Sequence, residues 1–151
     1  DDTYAIIVPT RIEDILIEGE TLHHCIDRTD RYFERIQQHE SYLMFLRRKE
    51  DVSKPWYTLE VEPGGTIRQK RTEYNRQNKD LKGAQSFLEA WQEEIAKRMS
   101  EDDRSLAASS KELRLKKFAE LREQGAKIQN GYMAGFLLAD VLQADLMEVG
   151  A

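Results

Sequence analysis

Trp56-Tyr57-Thr58-Leu59-Glu60-Val61-Glu62-Pro63-Gly64-Gly65-Thr66-Ile67-Arg68-Gln69 is the stretch whose reading decides the fold. From Trp56 to Glu62 the residues alternate. Tyr57, Leu59 and Val61 fall on one face and Trp56, Thr58, Glu60 and Glu62 on the other, the period-two pattern of a strand with two unlike faces. Pro63-Gly64-Gly65 is a turn signal, so Thr66 to Gln69 is predicted to return as the second strand of a hairpin. Upstream, Ser41-Tyr42-Leu43-Met44-Phe45-Leu46-Arg47 reads as a largely buried strand, joined to the hairpin by the charged loop from Arg48 to Pro55. Tyr4 to Val8, β-branched and aromatic, reads as a short strand stopped by Pro9.

Helical periodicity surrounds these strands. Thr10-Arg11-Ile12-Glu13 matches a capping box, in which hydroxyl and carboxylate satisfy each other's free backbone N–H groups, and Gly19 is placed to end that helix. From Asp30 to about Gln38, Tyr32, Phe33 and Ile36 share a helical face. Ser86-Phe87-Leu88-Glu89 is another capping box, and Trp91, Ile95 and Met99 continue its apolar face. Residues 100–109 are polar and small, and read as a flexible connection or hinge. Helix formers fill Ser110 to about Gln124, ahead of Gly125. Tyr132 to Val149 is the most apolar stretch, with Phe136, Leu137, Val141, Leu142, Leu146 and Met147 near helical periods. The fold expected is α+β: a small, mostly antiparallel sheet with flanking helices and a helical C-terminal half. Residues 1–99 would form the core, 100–109 a polar connection, and 110–151 a helical segment packed on the core or on a missing partner.

Composition bounds the function. The 151 residues suit one domain with a single core. An apolar fraction of 40 % with two Trp, six Tyr and five Phe excludes wholesale disorder, while 34 % charged residues imply solvated helices around that core. The net charge of −5, 23 basic against 28 acidic residues, excludes a protein wrapped over its whole surface by nucleic acid but leaves room for a local basic patch. One cysteine makes no internal disulfide, which fits a reducing, cytoplasmic setting. No apolar run reaches the roughly 18 residues of a membrane span, and no charged leader with an apolar core opens the chain. The opening Asp1-Asp2-Thr3 and closing Val149-Gly150-Ala151 read as the ends of a piece cut from something longer.

A polar set is threaded through the first half. It begins at Gly19-Glu20-Thr21-Leu22-His23-His24-Cys25-Ile26 and continues through Tyr32, Arg47, Thr58-Leu59-Glu60, Gln69 and Asn75. Order and spacing resemble the PcfJ-like family, encoded on conjugative plasmids, phages and related mobile elements. The matching residues are Gly19, Leu22, His24, Cys25 and Ile26, then Tyr32, Arg47, Pro55, Thr58, Leu59, Glu60, Gln69 and Asn75. Thr72 departs from the pattern, which has Gly there. The resemblance covers about the first hundred residues and implies a role in mobile-element biology, around transfer or host–element conflict, with no settled reaction or cofactor.

Three readings of the set are open. As an enzyme, His24, Cys25, Tyr32, Arg47, Glu60, Gln69 and Asn75 would converge on one site. A Cys–His pair is a nucleophile and its base, although adjacent residues on an extended segment point to opposite sides and free Cys is commonly packing. Glu60 and Glu62 beside Thr58, with Arg47 or His24 upstream, loosely resemble the ADP-ribosyltransferase arrangement. As structure, Arg47, Glu60 and Gln69 would satisfy one another across neighbouring strands. As a metal centre, His23, His24 and Cys25 with His39 or Glu60 have the right donors, but no CxxC or HxxxH spacing supports zinc, and no metal is expected.

Residues 68–82 are the one strong charge asymmetry. Arg68, Lys70, Arg71, Arg76, Lys79 and Lys82 oppose only Glu73 and Asp80, a local +4, with Tyr74, Asn75, Gln77 and Asn78 interleaved. Cations neutralise phosphates, a Tyr stacks on a base, and carboxamides bond base edges or sugars. A nucleic-acid contact strip of Arg68, Lys70, Arg71, Tyr74 and Arg76 is therefore expected, with a solvated loop as the alternative. The apolar C-terminal segment is either core or a surface for a protein partner.

Overall fold

The hairpin lies inside a four-stranded antiparallel sheet of order β1-β2-β3-β4, built from Tyr4–Ile7 (β1), Tyr42–Arg48 (β2), Tyr57–Val61 (β3) and Ile67–Arg71 (β4). This computed structural model describes residues 3–22 and 30–149, apart from the side chains of Asp30, Arg31, Phe33 and Asn75. Across the sheet Leu43 faces Glu60, which faces Gln69, and Phe45 faces Thr58, which faces Arg71. The β3–β4 register then shifts: Val61 faces Ile67, so Arg68 is the extra residue of a β-bulge. A bulge re-aims a side chain, and this one leaves Ile67 in the apolar layer while sending Arg68 toward Glu62.

Among the described residues five helices flank the sheet: Ile12–Leu22 (α1) and Asp30–Gln37 (α2) between β1 and β2, then Gln85–Lys97 (α3), Glu101–Gln124 (α4) and Leu138–Asp145 (α5). Short 3-10 turns occupy Lys49–Asp51, Glu73–Asn75 and Lys79–Ala84. Every residue of β3 is buried, so both of its faces are covered. Leu46, Tyr57, Leu59, Val61 and Ile67 pack with Leu81, Ala84 and Leu88 in the main core. The opposite face holds a smaller cluster of Ile15, Leu43 and Phe45, joined by Tyr32 and Ile36.

Four local expectations are corrected. Gly19 does not end α1, which runs on to Leu22; Leu22 is only 2 % exposed, and burying it outweighs the modest cost of glycine inside a helix. Ser86 lies inside α3, which starts at Gln85 behind Ala84 and carries a Gln85–Glu89 side-chain bond in its first turns. Residues 100–109 are no hinge. Ser100 accepts from the Asp103 amide at 3.1 Å and Asp103 accepts from the Ser100 amide at 2.9 Å, a capping box that launches the 24-residue α4. That helix ends at Gly125 in the left-handed region. Finally, the apolar tail is helical only over α5. Beyond it, Met147 exchanges two backbone hydrogen bonds with Ile67 and Gln92 donates to the Met147 carbonyl, so the tail closes the free edge of β4.

The β3–β4 turn tolerates little change. Gly65 sits at φ +96°, and a Cβ there would lie 3.2 Å from Ile95 Cγ2. Gly65→Ala is expected to cost about 1–3 kcal/mol, read as a lower urea midpoint at unchanged slope. An unchanged midpoint would mean that the turn relaxes freely.

Candidate functional site

The alternation of β3 places Glu60 on the face covered by α2. Its carboxylate is buried and fully engaged: Ser41 Oγ donates at 2.6 Å, Arg35 lies at 2.9 Å, and Gln69 Nε2 donates at 3.4 Å. Tyr32, one turn before Arg35 on α2, donates its hydroxyl to Gln69 Oε1 at 3.4 Å. Burial first, and the neighbouring Glu60 charge second, push the Tyr32 hydroxyl up to about 12.

Glu62 is bound just as tightly. Arg68 Nε donates to it at 2.8 Å and Arg114 Nε at 2.6 Å, both onto Oε2. Arg68 also reaches Glu40 at 2.6 Å and the carbonyl and hydroxyl of Ser110 at 3.0 and 3.1 Å, while Ser110 Oγ donates to the Glu40 carbonyl. Ser110, Arg114 and Leu121 are the buried residues of α4, so this helix turns a mainly polar face inward. Between α2, the hairpin, α4 and α5 a cleft of about 560 Å³ opens, with Tyr32, Glu60 and Gln69 in its wall and Leu113, Phe118 and Leu142 opposite.

The structure brings together Tyr32, Glu60 and Gln69 from the expected set, but not Arg47. Arg47 makes a two-pronged pair with Glu18 of α1, 2.6 Å on each arm, and its guanidinium stacks over Phe45 at 5.0 Å. Burial raises the Glu18 carboxyl against the opposing pull of Arg47. The expected mutual pairing of Arg47 with Glu60 and Gln69 is thus corrected: Arg35, a residue the strand pattern does not reveal, takes the guanidinium's place. His23, His24, Cys25 and Ile26 lie outside the described residues, as does the side chain of Asn75. His39 bonds Tyr42 Oη at 3.0 Å, and among the described residues no cluster of His, Cys, Asp or Glu is arranged to hold a metal.

The basic stretch divides in two. Arg68, Lys70 and Arg71 belong to β4 and face inward: Arg68 meets Glu62 and Glu40, and Arg71 meets Asp145 at 3.2 Å. Lys70 Nζ donates to the Asp145 carbonyl at 3.0 Å, and burial lowers its pKa. The remainder, Tyr74, Arg76, Lys79 and Lys82, is exposed. Arg76 stacks over the Tyr132 ring at 5.6 Å, and Tyr74 adopts φ +54°. Thr72 is extended at φ −113° and donates its hydroxyl to the Trp56 carbonyl at 2.6 Å, so no glycine turn forms there.

Tyr32 supplies a pH test. Its folded value of about 12 stands above its ordinary 10.0, so its contribution is whole below pH 10 and lost as pH rises toward 12, about 2–3 kcal/mol at most. Burial also raises Tyr57, which adds to the same loss. In thermal melts across this range Tyr32→Phe is expected to lose less stability than the parent; parallel curves would show that Tyr32 does not resist ionisation.

The family described as PcfJ-like protein matches residues 1–85, which take in α1, α2, the whole sheet and Glu60, Gln69 and Tyr32. The uncharacterized protein Lin1253/Lin1744 of Listeria innocua serovar 6a is 36 % identical over 74 residues, 49 % of this chain and 16 % of that relative's length. No solved structure matches. With more than half of its length and its whole sheet inside the matched region, the chain belongs to the PcfJ-like protein family.

Proposed function

We propose that this chain is a nucleic-acid-contacting module of a mobile-element protein, and that it holds single strands along Tyr74, Arg76, Lys79 and Lys82. The observation that carries this reading is the division of the basic stretch. Arg68, Lys70 and Arg71 turn inward to Glu40, Glu62 and Asp145, whereas the side chains of Tyr74, Arg76, Lys79 and Lys82 are exposed and Arg76 lies over Tyr132, itself 57 % exposed. A tyrosine at positive φ is uncommon, and such backbone outliers gather at functional positions. Exposed aromatics interleaved with cations suit stacked bases with phosphates between them. Residues 126–137 present further apolar surface at Phe136 and Leu137, which suits an adaptor's protein contact.

Binding is favoured over catalysis because the two buried carboxylates at the end of β3 each already carry two or more donors. Glu60 holds Ser41, Arg35 and Gln69, and Glu62 holds Arg68 and Arg114, so the oxygens of both are already engaged by internal donors.

Labelled single-stranded DNA and RNA, titrated at several salt concentrations and read by anisotropy, test the proposal. Joint reversal of Arg76, Lys79 and Lys82 to Glu is expected to weaken binding by about a hundredfold and to flatten the log–log salt slope by about 2. Tyr74→Ala is expected to weaken it by about tenfold with little change in that slope. If the triple variant binds as the parent does, the strip is a solvated loop.

A further inference from the structure

A second cleft, of about 430 Å³, opens beneath the exposed strip. Its polar wall is Lys70, Lys79 and Lys82 with Gln77 and Asn78, its floor is Leu81, Leu146 and Met147, and no carboxylate among the described residues lines it. In a chain of net charge −5, three ammonium groups around a cavity without an acid is a marked imbalance.

The imbalance extends inward. Asp145, the one buried acid nearby, spends its carboxylate on Arg71, on the Lys70 amide at 3.3 Å and on Gln77 Nε2 at 2.8 Å. Among the described residues the Lys70 ammonium hydrogen-bonds the backbone carbonyl of that residue, at 3.0 Å, and not its carboxylate. One negative charge thus faces two cations, the partly buried Arg71 and the buried Lys70, and Lys70 lines the cleft. Burying an ammonium is costly, and an anion seated beside it would recover part of that cost.

From this geometry we infer that the cleft is a nucleotide pocket: a phosphate monoester sits among Lys70, Lys79 and Lys82, its base lies on Leu81, Leu146 and Met147, and the carboxamides of Gln77 and Asn78 meet its polar edge. Methionine gives a polarisable bed for an aromatic ring, and three lysines suit a doubly charged phosphate better than a diester. The inference rests on the strip's nucleic-acid reading for the identity of the ligand. Its phosphate comes either from a free nucleotide or from the 5′ end of a strand running along the strip.

The test compares one short single-stranded oligonucleotide with a 5′-phosphate or a 5′-hydroxyl, together with adenosine 5′-monophosphate as a separate ligand. The 5′-phosphate is expected to tighten binding by about tenfold. In Lys70→Met, whose thioether fits the buried stem, and in the surface double variant Lys79→Gln/Lys82→Gln, that preference should vanish with the melting temperature held. Binding of the free monophosphate, lost in the same variants, would assign the pocket to free nucleotides. A preference confined to the oligonucleotide would assign it to strand ends. Equal affinity for the two oligonucleotides with no binding of the monophosphate would overturn the pocket and leave the strip standing. A preference that survives both variants would overturn it too, and absence of all binding would remove pocket and strip together.

Discussion

Two buried carboxylates, Glu60 in β3 and Glu62 just after it, tie the sheet to the helices on its polar side. Through Arg35 and Ser41, Glu60 fixes α2 and the entry to β2; through Arg68 and Arg114, Glu62 fixes the β-bulge and α4. A buried ion pair earns little net stability against its own desolvation, but removing one partner strands a charge at a cost of about 3–5 kcal/mol. The network therefore acts chiefly as a positioning device. It makes one packing of α2 and α4 far better than its neighbours, while the apolar layer of Leu46, Tyr57, Leu59 and Ile67 supplies most of the driving force from the other face.

This division explains what the sequence discloses. The hairpin is readable because Tyr57, Leu59 and Val61 alternate with polar residues and Pro63-Gly64-Gly65 follows; α2 is readable because Tyr32 and Ile36 recur at helical spacing. In contrast, only the part of α4 from Ser110 onward is readable. Its inward face is Ser110, Arg114 and Leu121, and its Leu113 and Leu115 are largely exposed, so a rule that seeks an apolar stripe misses its start and reads the helix's first nine residues as linker. Gly19 misleads for a related reason, since punctuation is overruled wherever the following residue has a core position to fill. Of the polar set, Tyr32, Glu60 and Gln69 are legible as companions, but Arg35 and Glu18 are not: each is one more charged residue on a helix until the tertiary fold shows which face it lies on.

The same accounting sorts the cations by role. Those with internal carboxylate partners, Arg35, Arg47, Arg68, Arg71 and Arg114, build the domain. Lys70 stands between the two groups, buried and, among the described residues, hydrogen-bonded to a backbone carbonyl, and Arg76, Lys79 and Lys82 remain on the outside. Net charge alone conceals this, because the acidic surplus of the chain is spread over other surfaces.

Hydrogen exchange with and without a saturating single-stranded oligonucleotide tests the central claim most directly, because it reports on the whole backbone at once. The account predicts slowed exchange across residues 72–82 and around Tyr132, with the α2 and α4 walls of the polar cleft unaltered. Protection confined to residues 32–38 and 113–121 would contradict it, and would move the functional centre from the basic strip to the cleft that Glu60 organises.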